Sequence, residues 1–233
     1  MCLDLLRGFE VSCAGTRIPL PAGAQHLLAF LALQGVGGAQ RITVAEQLWP
    51  DCTSWRAAAN LRSALCRSRL LGGTTAIDSV GQRLRLAPAV RVDLHTAGAA
   101  AQQIFAGLDP LPASCAALVD ALSGELLPGW TEDWLLLERE RWDQTRLHAL
   151  EALAHQLHRA EQYLAALETA LTAVSIDPIR ETAHRIVIEV HLAEGNLASA
   201  LRCYQQYRGL LQRELNVAPS PRMTSLVKDL MRT

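Results

Sequence analysis

The sequence predicts a mainly α protein in two domains, an N-terminal α+β domain followed by an all-α domain. Three observations carry that expectation. Residues 1–95 mix short strand-like segments with three helical ones, and residues 161–204 hold a repeat with a period of 34. The third observation is charge. The whole chain of 233 residues has a formal net charge of −1, yet residues 1–95 carry ten Arg against six Asp/Glu, an excess of +4. Residues 96–233 carry twelve Lys/Arg against seventeen Asp/Glu, or −5. A basic front part joined to an acidic back part suits one domain facing nucleic acid and one facing protein. The predicted domains are therefore 1–95 and 96–233.

The first twenty residues read as short strands, with Leu3, Leu5, Phe9 and Val11 set among polar residues and Ala14-Gly15 as a turn. Ala24 to Gln34 is a strongly apolar helix ended by Gly35 and Gly37-Gly38. Thr43 is expected to cap a second helix, Val44 to Trp49, with Glu46 completing a capping box and Pro50 preventing continuation.

A third helix is predicted over Trp55 to Leu71 (WRAAANLRSALCRSRLL), stopped by Gly72-Gly73. At about 100° per residue, Arg56, Asn60, Ser63 and Arg67 share a narrow sector opposite Ala58, Leu61 and Leu65. Arg62 and Arg69 flank the apolar stripe. Guanidiniums, an amide and a hydroxyl on one face are the groups that bond phosphates and base edges in a major groove. A solvated basic surface would look the same in this window alone. Ala76 to Val80 and Arg83 to Leu86 then flank Gly81-Gln82 as a hairpin, with Arg83 and Arg85 alternating with Leu84 and Leu86. Strands, three helices and a basic hairpin make a winged helix-turn-helix, and this order favours the DNA-binding reading of the third helix.

From Val92 onward the pattern is helical. Pro110 and Pro112 punctuate a short helical stretch that includes Ala113 to Ser123. Pro128-Gly129 breaks the chain within LLPGWTEDWLLLERERW, residues 126–142. A long helix follows, carrying Trp134, Leu137, Arg141, Leu147, Leu150, Leu153 and Leu157 at helical spacing. Its tryptophans are read as packing rather than as a ligand cage. In the repeat, Glu161, Tyr163, Ala166, Leu167 and Ala170 recur as Gly195, Leu197, Ala200, Leu201 and Tyr204. Asp177-Pro178 and Ala218-Pro219 close the two units, which describe tetratricopeptide-type helical hairpins that stack and leave a groove for a partner.

No P-loop, HExxH, GxSxG or dinucleotide glycine fingerprint is present, so no enzyme and no cofactor are expected. His148, Glu151, His155 and His158 share one helix face, but a lone helix seldom completes a metal site, and no metal is expected. The acidic residues Glu132, Asp133, Glu138, Glu140 and Asp143 read as a solvated face. Six scattered cysteines without a CxxC pair suit reduced thiols, and MCLDLLRGFE lacks the apolar core of a secretory signal. A cytoplasmic protein is expected.

Taken together, GFEVSCAGTRIPL, the apolar first helix, VAEQLWPD and NLRSALCRSRL resemble the OmpR/PhoB-type winged helix of the SARP (antibiotic regulatory protein) family. LLPGWTEDWLLLERERW, the repeat units and LQRELNVAPSPRMTSL resemble its bacterial transcriptional activator domain, BTAD. The resemblance runs from about Leu5 to Leu230. It implies a transcription activator that binds tandem repeats of double-stranded promoter DNA and recruits RNA polymerase, with protomers held together by the helical domain. By this resemblance Arg56, Asn60, Arg62, Ser63 and Arg67, with Arg69 beside them, would contact DNA, and Arg83 and Arg85 would form the wing contact. Pro50 and the following Asp51, Cys52, Thr53 and Ser54 would face the polymerase sigma subunit. With no receiver domain ahead of the winged helix, phosphoaspartate control is not expected within this sequence. The chain departs from the family pattern at Pro21 to Gln25 (PAGAQ), where a basic residue is usual, at Ser68, usually apolar, and at Gln82, often aromatic. Those departures sustain an alternative: a tetratricopeptide adaptor whose winged helix has lost its affinity for DNA.

Overall fold

Alternation of apolar and polar residues begins the chain as strands, and the computed structural model pairs them. It describes residues 1–108, 110–111 and 114–228, and for Val36 the backbone only. Pro112, Ala113 and Leu230 lie outside the described residues. Two compact units emerge: Met1–Thr96 with Gly124–Trp142, and Ala97–Ser123 with Asp143–Thr233. The first division falls beside the expected one at 95/96, but residues 124–142, expected in the second domain, pack with the first.

In the first unit, β1 (Cys2–Asp4), β2 (Glu10–Cys13), β3 (Thr16–Arg17) and β9 (Arg91–Val92) form a sheet in the order β3-β2-β1-β9, with β1 parallel to β9. The β2–β3 turn is Ala14-Gly15 as expected, both residues at positive φ. Asp93 anchors the far end, its carboxylate accepting the amides of Leu5 and Leu6 at 2.9 Å each.

Helix α1 (Ala22–Leu33) buries Leu27, Leu28, Phe30 and Leu31 and packs against α3 (Ser54–Ser68). Helix α2 (Arg41–Leu48) starts earlier than expected, and Thr43 does not cap it. The reason is non-local: β4 (Ala39–Gln40) pairs with β8 (Arg83–Leu86), and the Arg41 amide donates to the Gln82 carbonyl at 2.9 Å. Strand pairing, not a local capping box, sets this helix end. Just before it, Gly38 sits at φ 58, and a Cβ there would collide with the Leu84 carbonyl oxygen, so glycine is required.

Helix α3 (Ser54–Ser68) ends three residues short of the expected Leu71. Leu70–Leu71 is β5, which pairs with β6 (Thr74–Thr75) across Gly72-Gly73, both at positive φ. The buried stripe of α3 is Ala57, Leu61, Ala64, Leu65 and Ser68, with Ala58 only half-buried. Ser68 fits this apolar face because its hydroxyl donates back to the Ala64 carbonyl at 2.8 Å. The expected hairpin forms as β7 (Ile77–Val80) and β8, in a sheet ordered β4-β8-β7.

Residues 124–142 continue this unit. The Leu127 amide donates to the Leu5 carbonyl at 2.8 Å and the Arg7 amide to the Glu125 carbonyl at 2.7 Å. Leu127 turns the chain at φ 46 and Gly129 at φ 80. Arg139 holds that bend, its Nε donating to the Leu126 carbonyl at 2.9 Å, one Nη to Trp130 at 2.8 Å and the other to Leu127. The tryptophans pack as expected. Trp130 stacks on Phe9 at 5.8 Å and meets His26 at 4.6 Å, and Trp134 meets Phe30 edge-on at 5.4 Å. Leu137, expected on the packed stripe, is 57% exposed. Leu135, Arg139 and Trp142 take that stripe instead, because Arg139 must reach the bend and the Trp142 indole donates to the Gly124 carbonyl at 2.8 Å.

The second unit is helical. It holds most of α4 (Asp93–Ala106), α5 (Ala116–Ser123), the later part of α6 (Asp133–Arg159), α7 (Tyr163–Ile176), α8 (Glu181–Ala193), α9 (Leu197–Glu214) and α10 (Pro221–Val227). Helices α7 and α9 begin 34 residues apart, matching the sequence repeat. The preceding turns match too: Glu161 at φ 58 corresponds to Gly195 at φ 77. A small residue, Ala166 or Ala200, is fully buried at equivalent positions where paired helices touch. Glu151 on α6 forms a two-pronged pair with Arg180 at 2.6 and 3.1 Å, and hydrogen bonding to Glu151 raises the arginine above its ordinary range. Tyr207 is pushed up to about 12 by burial, its hydroxyl donating to the Ile179 carbonyl at 3.1 Å.

Candidate nucleic-acid interface

An arginine that the fold does not use remains available for another molecule, so each cation's partner decides what a basic face can do. Arg56, Arg62, Arg67 and Arg69, on α3 and its C-cap, are all exposed, and their guanidiniums make no hydrogen bond or ion pair among the described residues. Ser63 is also exposed. Burial of Ala57, Leu61, Ala64, Leu65 and Ser68 turns the opposite side of the helix outward, and Arg67 in the last turn also suits the helix dipole. Asn60 differs from the expected pattern. It is half-buried, and its amide donates to Cys52 Sγ at 3.9 Å, tying the helix to the preceding loop.

The hairpin arginines are placed differently. Arg83 donates through Nε to the Gly37 carbonyl at 3.0 Å and through an Nη to the Gly38 carbonyl at 2.9 Å. Arg85 is half-buried and faces Asp78 at 3.6 Å. Both are held by their own domain, and the tip carries Gly81-Gln82 and an exposed Val80 instead. In the loop between α2 and α3, Asp51 and Thr53 are exposed, Cys52 is half-buried, and Ser54 is the exposed first residue of α3.

Two residues escaped the sequence reading. Trp55, 77% exposed, stands beside that loop on the outward face of α3. An indole on the polar side of an amphipathic helix was the available signal. Arg41, at the start of α2, donates to Ser79 Oγ at 3.1 Å and has no carboxylate partner among the described residues. No sequence periodicity marks it. The neutral PAGAQ segment stays neutral in its setting: Pro21 is the N-cap of α1, and Gln25 bonds the Leu20 carbonyl at 2.7 Å.

The histidine-rich face of α6 separates rather than converging. Glu151 is committed to Arg180, His148 bonds the Gln144 carbonyl at 2.7 Å, and His158 meets the Tyr163 ring at 5.9 Å. Among the described residues, no three His, Cys, Asp or Glu side chains converge as a metal site would need. No described helix is long and apolar enough to cross a membrane.

The bacterial transcriptional activator domain family model matches residues 111–231, more than half of the chain. The chain belongs to that family. Winged helix followed by BTAD is the SARP-type arrangement that the motifs implied. The fold is also that of Mycobacterium tuberculosis EmbR, solved in complex with a low affinity phosphopeptide. The match has a TM-score of 0.71 at 19% identity and covers 99% of this chain and 64% of EmbR. The chain thus spans less than two thirds of that protein. No curated protein sequence matches it. The BTAD match includes residues 124–142, the segment that packs with the winged helix.

Proposed function

We propose that this chain is a SARP-type regulator, a sequence-specific bacterial transcription activator that places α3 in the major groove of tandem promoter repeats. RNA polymerase is recruited through the loop ahead of α3, with Asp51, Thr53, Ser54 and the neighbouring Trp55 facing the sigma subunit. The BTAD holds protomers together on DNA, and the protein works in the cytoplasm. One observation carries the reading: the unpartnered, exposed arginines Arg56, Arg62, Arg67 and Arg69 are gathered on one helix and its cap. Spread over the surface they would mean little. Clustered on a helix beside an outward Ser63, they match phosphate and base-edge recognition.

The test is a fluorescence-anisotropy titration of the full chain against duplexes selected from promoter fragments. The expected result is salt-dependent binding, about 1000-fold tighter to selected than to random duplex. Arg67→Ala is expected to lose about 1–3 kcal/mol of that affinity.

The engagement of Arg83 and Arg85 and the uncharged Pro21 to Gln25 favour a second reading, a tetratricopeptide adaptor with a vestigial winged helix. It is supported if promoter fragments and random duplex bind alike without salt dependence.

A further inference from the structure

A groove of about 390 Å³ lies between α2, α3 and the hairpin tip. Its apolar lining includes Ile42, Ala58 and Leu61, and its polar lining includes Arg41, Arg62 and Gln82. Three features set it apart from ordinary surface relief. Ile42, on the first turn of α2, is 62% exposed, an aliphatic side chain the fold leaves unused. Arg41 is oriented by Ser79 on β7 without being neutralised, and Arg62 is free among the described residues. Helix α2 begins without a side-chain cap, and although the Arg41 amide is taken by the Gln82 carbonyl, the following first-turn amides add positive potential at the same end. Arg62 also belongs to the exposed basic face of α3, which makes the groove continuous with the candidate interface.

An occupant must therefore be anionic at Arg41 and Arg62 and apolar against Ile42, and must be reached from the face of α3. Sugar-phosphate backbone has that chemistry. We infer that a DNA backbone segment seats here, with one phosphate between Arg41 and Arg62 and the adjoining deoxyribose against Ile42. This takes over the backbone contact that the engaged Arg83 and Arg85 leave unmade. Glu46 also lines the groove and opposes the phosphate. The inference rests on the DNA-binding reading above.

The experiment measures log Kd against log salt for the full chain on a duplex selected by wild type from a random library. Arg41→Ala is expected to reduce the slope by about one. Arg41→Lys should restore the slope, since it restores the charge. Ile42→Ser should weaken binding about fivefold with the slope unchanged. Glu46→Gln should strengthen binding modestly, a gain that no loss of structure produces. Thermal melts confirm that each variant is folded. A wild-type chain that binds neither selected nor random duplex overturns the DNA reading and this inference together. If wild type binds, Arg67→Ala weakens it, and the Arg41 and Ile42 variants match wild type in affinity and slope, this inference alone is overturned. A groove that serves a small amphipathic acid or a protein side chain gives that second outcome.

Discussion

Helix α3 and the hairpin each offer arginines at helical or alternating spacing, yet the fold treats them in opposite ways. On α3 the guanidiniums of Arg56, Arg62, Arg67 and Arg69 extend without partners among the described residues. In the hairpin, Arg83 satisfies the carbonyls of Gly37 and Gly38, which follow α1 and have no helical amide to bond. A basic side chain is thus an anchor or a probe according to whether backbone acceptors nearby lack donors. Arg139 extends the first class, bonding three carbonyls at the 126–130 bend. The two classes should separate cleanly in mutagenesis. Anchors should change stability and leave specific DNA affinity alone, and probes should do the reverse.

The largest effect should come from Arg139→Ala. A hydrogen bond to a charged group contributes about 1.5–3 kcal/mol, and the bend presents three acceptors, so a loss of about 3 kcal/mol is expected. Urea denaturation would measure it, and a change below about 0.5 kcal/mol would remove Arg139 from the anchor class. In this chain Arg139, within LLPGWTEDWLLLERERW, thus holds the LLPGW bend in shape.

Next come Arg67→Ala and Arg83→Ala, measured side by side. Arg83→Ala should destabilise by about 1–2 kcal/mol, less than Arg139 because its bonds are partly solvated. Among folded molecules it should leave the affinity for selected duplex within about threefold, as expected of a residue that makes no phosphate contact. Arg67→Ala should leave stability within about 0.5 kcal/mol, as at an exposed site with no partner. If Arg83→Ala instead weakens binding as Arg67→Ala does, the hairpin arginine leaves its carbonyls on binding DNA and the distinction between the two regions fails.

The elements themselves were largely legible in the sequence; what their side chains do was not. The 34-residue repeat was readable because each unit satisfies its backbone locally and repeats its turn, down to Glu161 and Gly195 in the same backbone region. The amphipathic stripe of α3 was readable for the same reason. Its end was not, because Leu70 and Leu71 leave the helix to pair with Thr75 and Thr74. Thr43 looked like a cap, but pairing of Ala39 and Gln40 with Leu84 and Arg83 decides where α2 begins. Alternation showed that Arg83 and Arg85 share a hairpin face. It could not show that carbonyls 46 and 45 positions earlier would take up Arg83. Local pattern writes elements, and contacts distant in sequence assign the charged groups within them.

The smallest predicted effect tests whether the anchor idea reaches a group that can lose its anchoring form. His184 donates from Nε2 to the Pro178 carbonyl at 2.8 Å and stacks on Tyr207 at 4.3 Å. Its pKa is lowered from the ordinary 6.5, chiefly by burial, although the Pro178 bond and Asp177 pull the other way. The unfolded chain therefore holds more protons than the folded one between 6.5 and that lower value. Stability must rise with pH through this window and fall as the medium is acidified through it. His155 is lowered in the same direction, also mainly by burial, so part of the acid sensitivity belongs to it. His184→Gln can keep a donor toward Pro178 but cannot be protonated. Urea midpoints taken between pH 7 and 5 should fall less steeply for the variant than for wild type, with His155 supplying the remaining slope. Equal slopes would mean that His184 takes up its proton alike in the folded and the unfolded chain, and that its contact with Pro178 belongs with Arg83 as an anchor indifferent to pH.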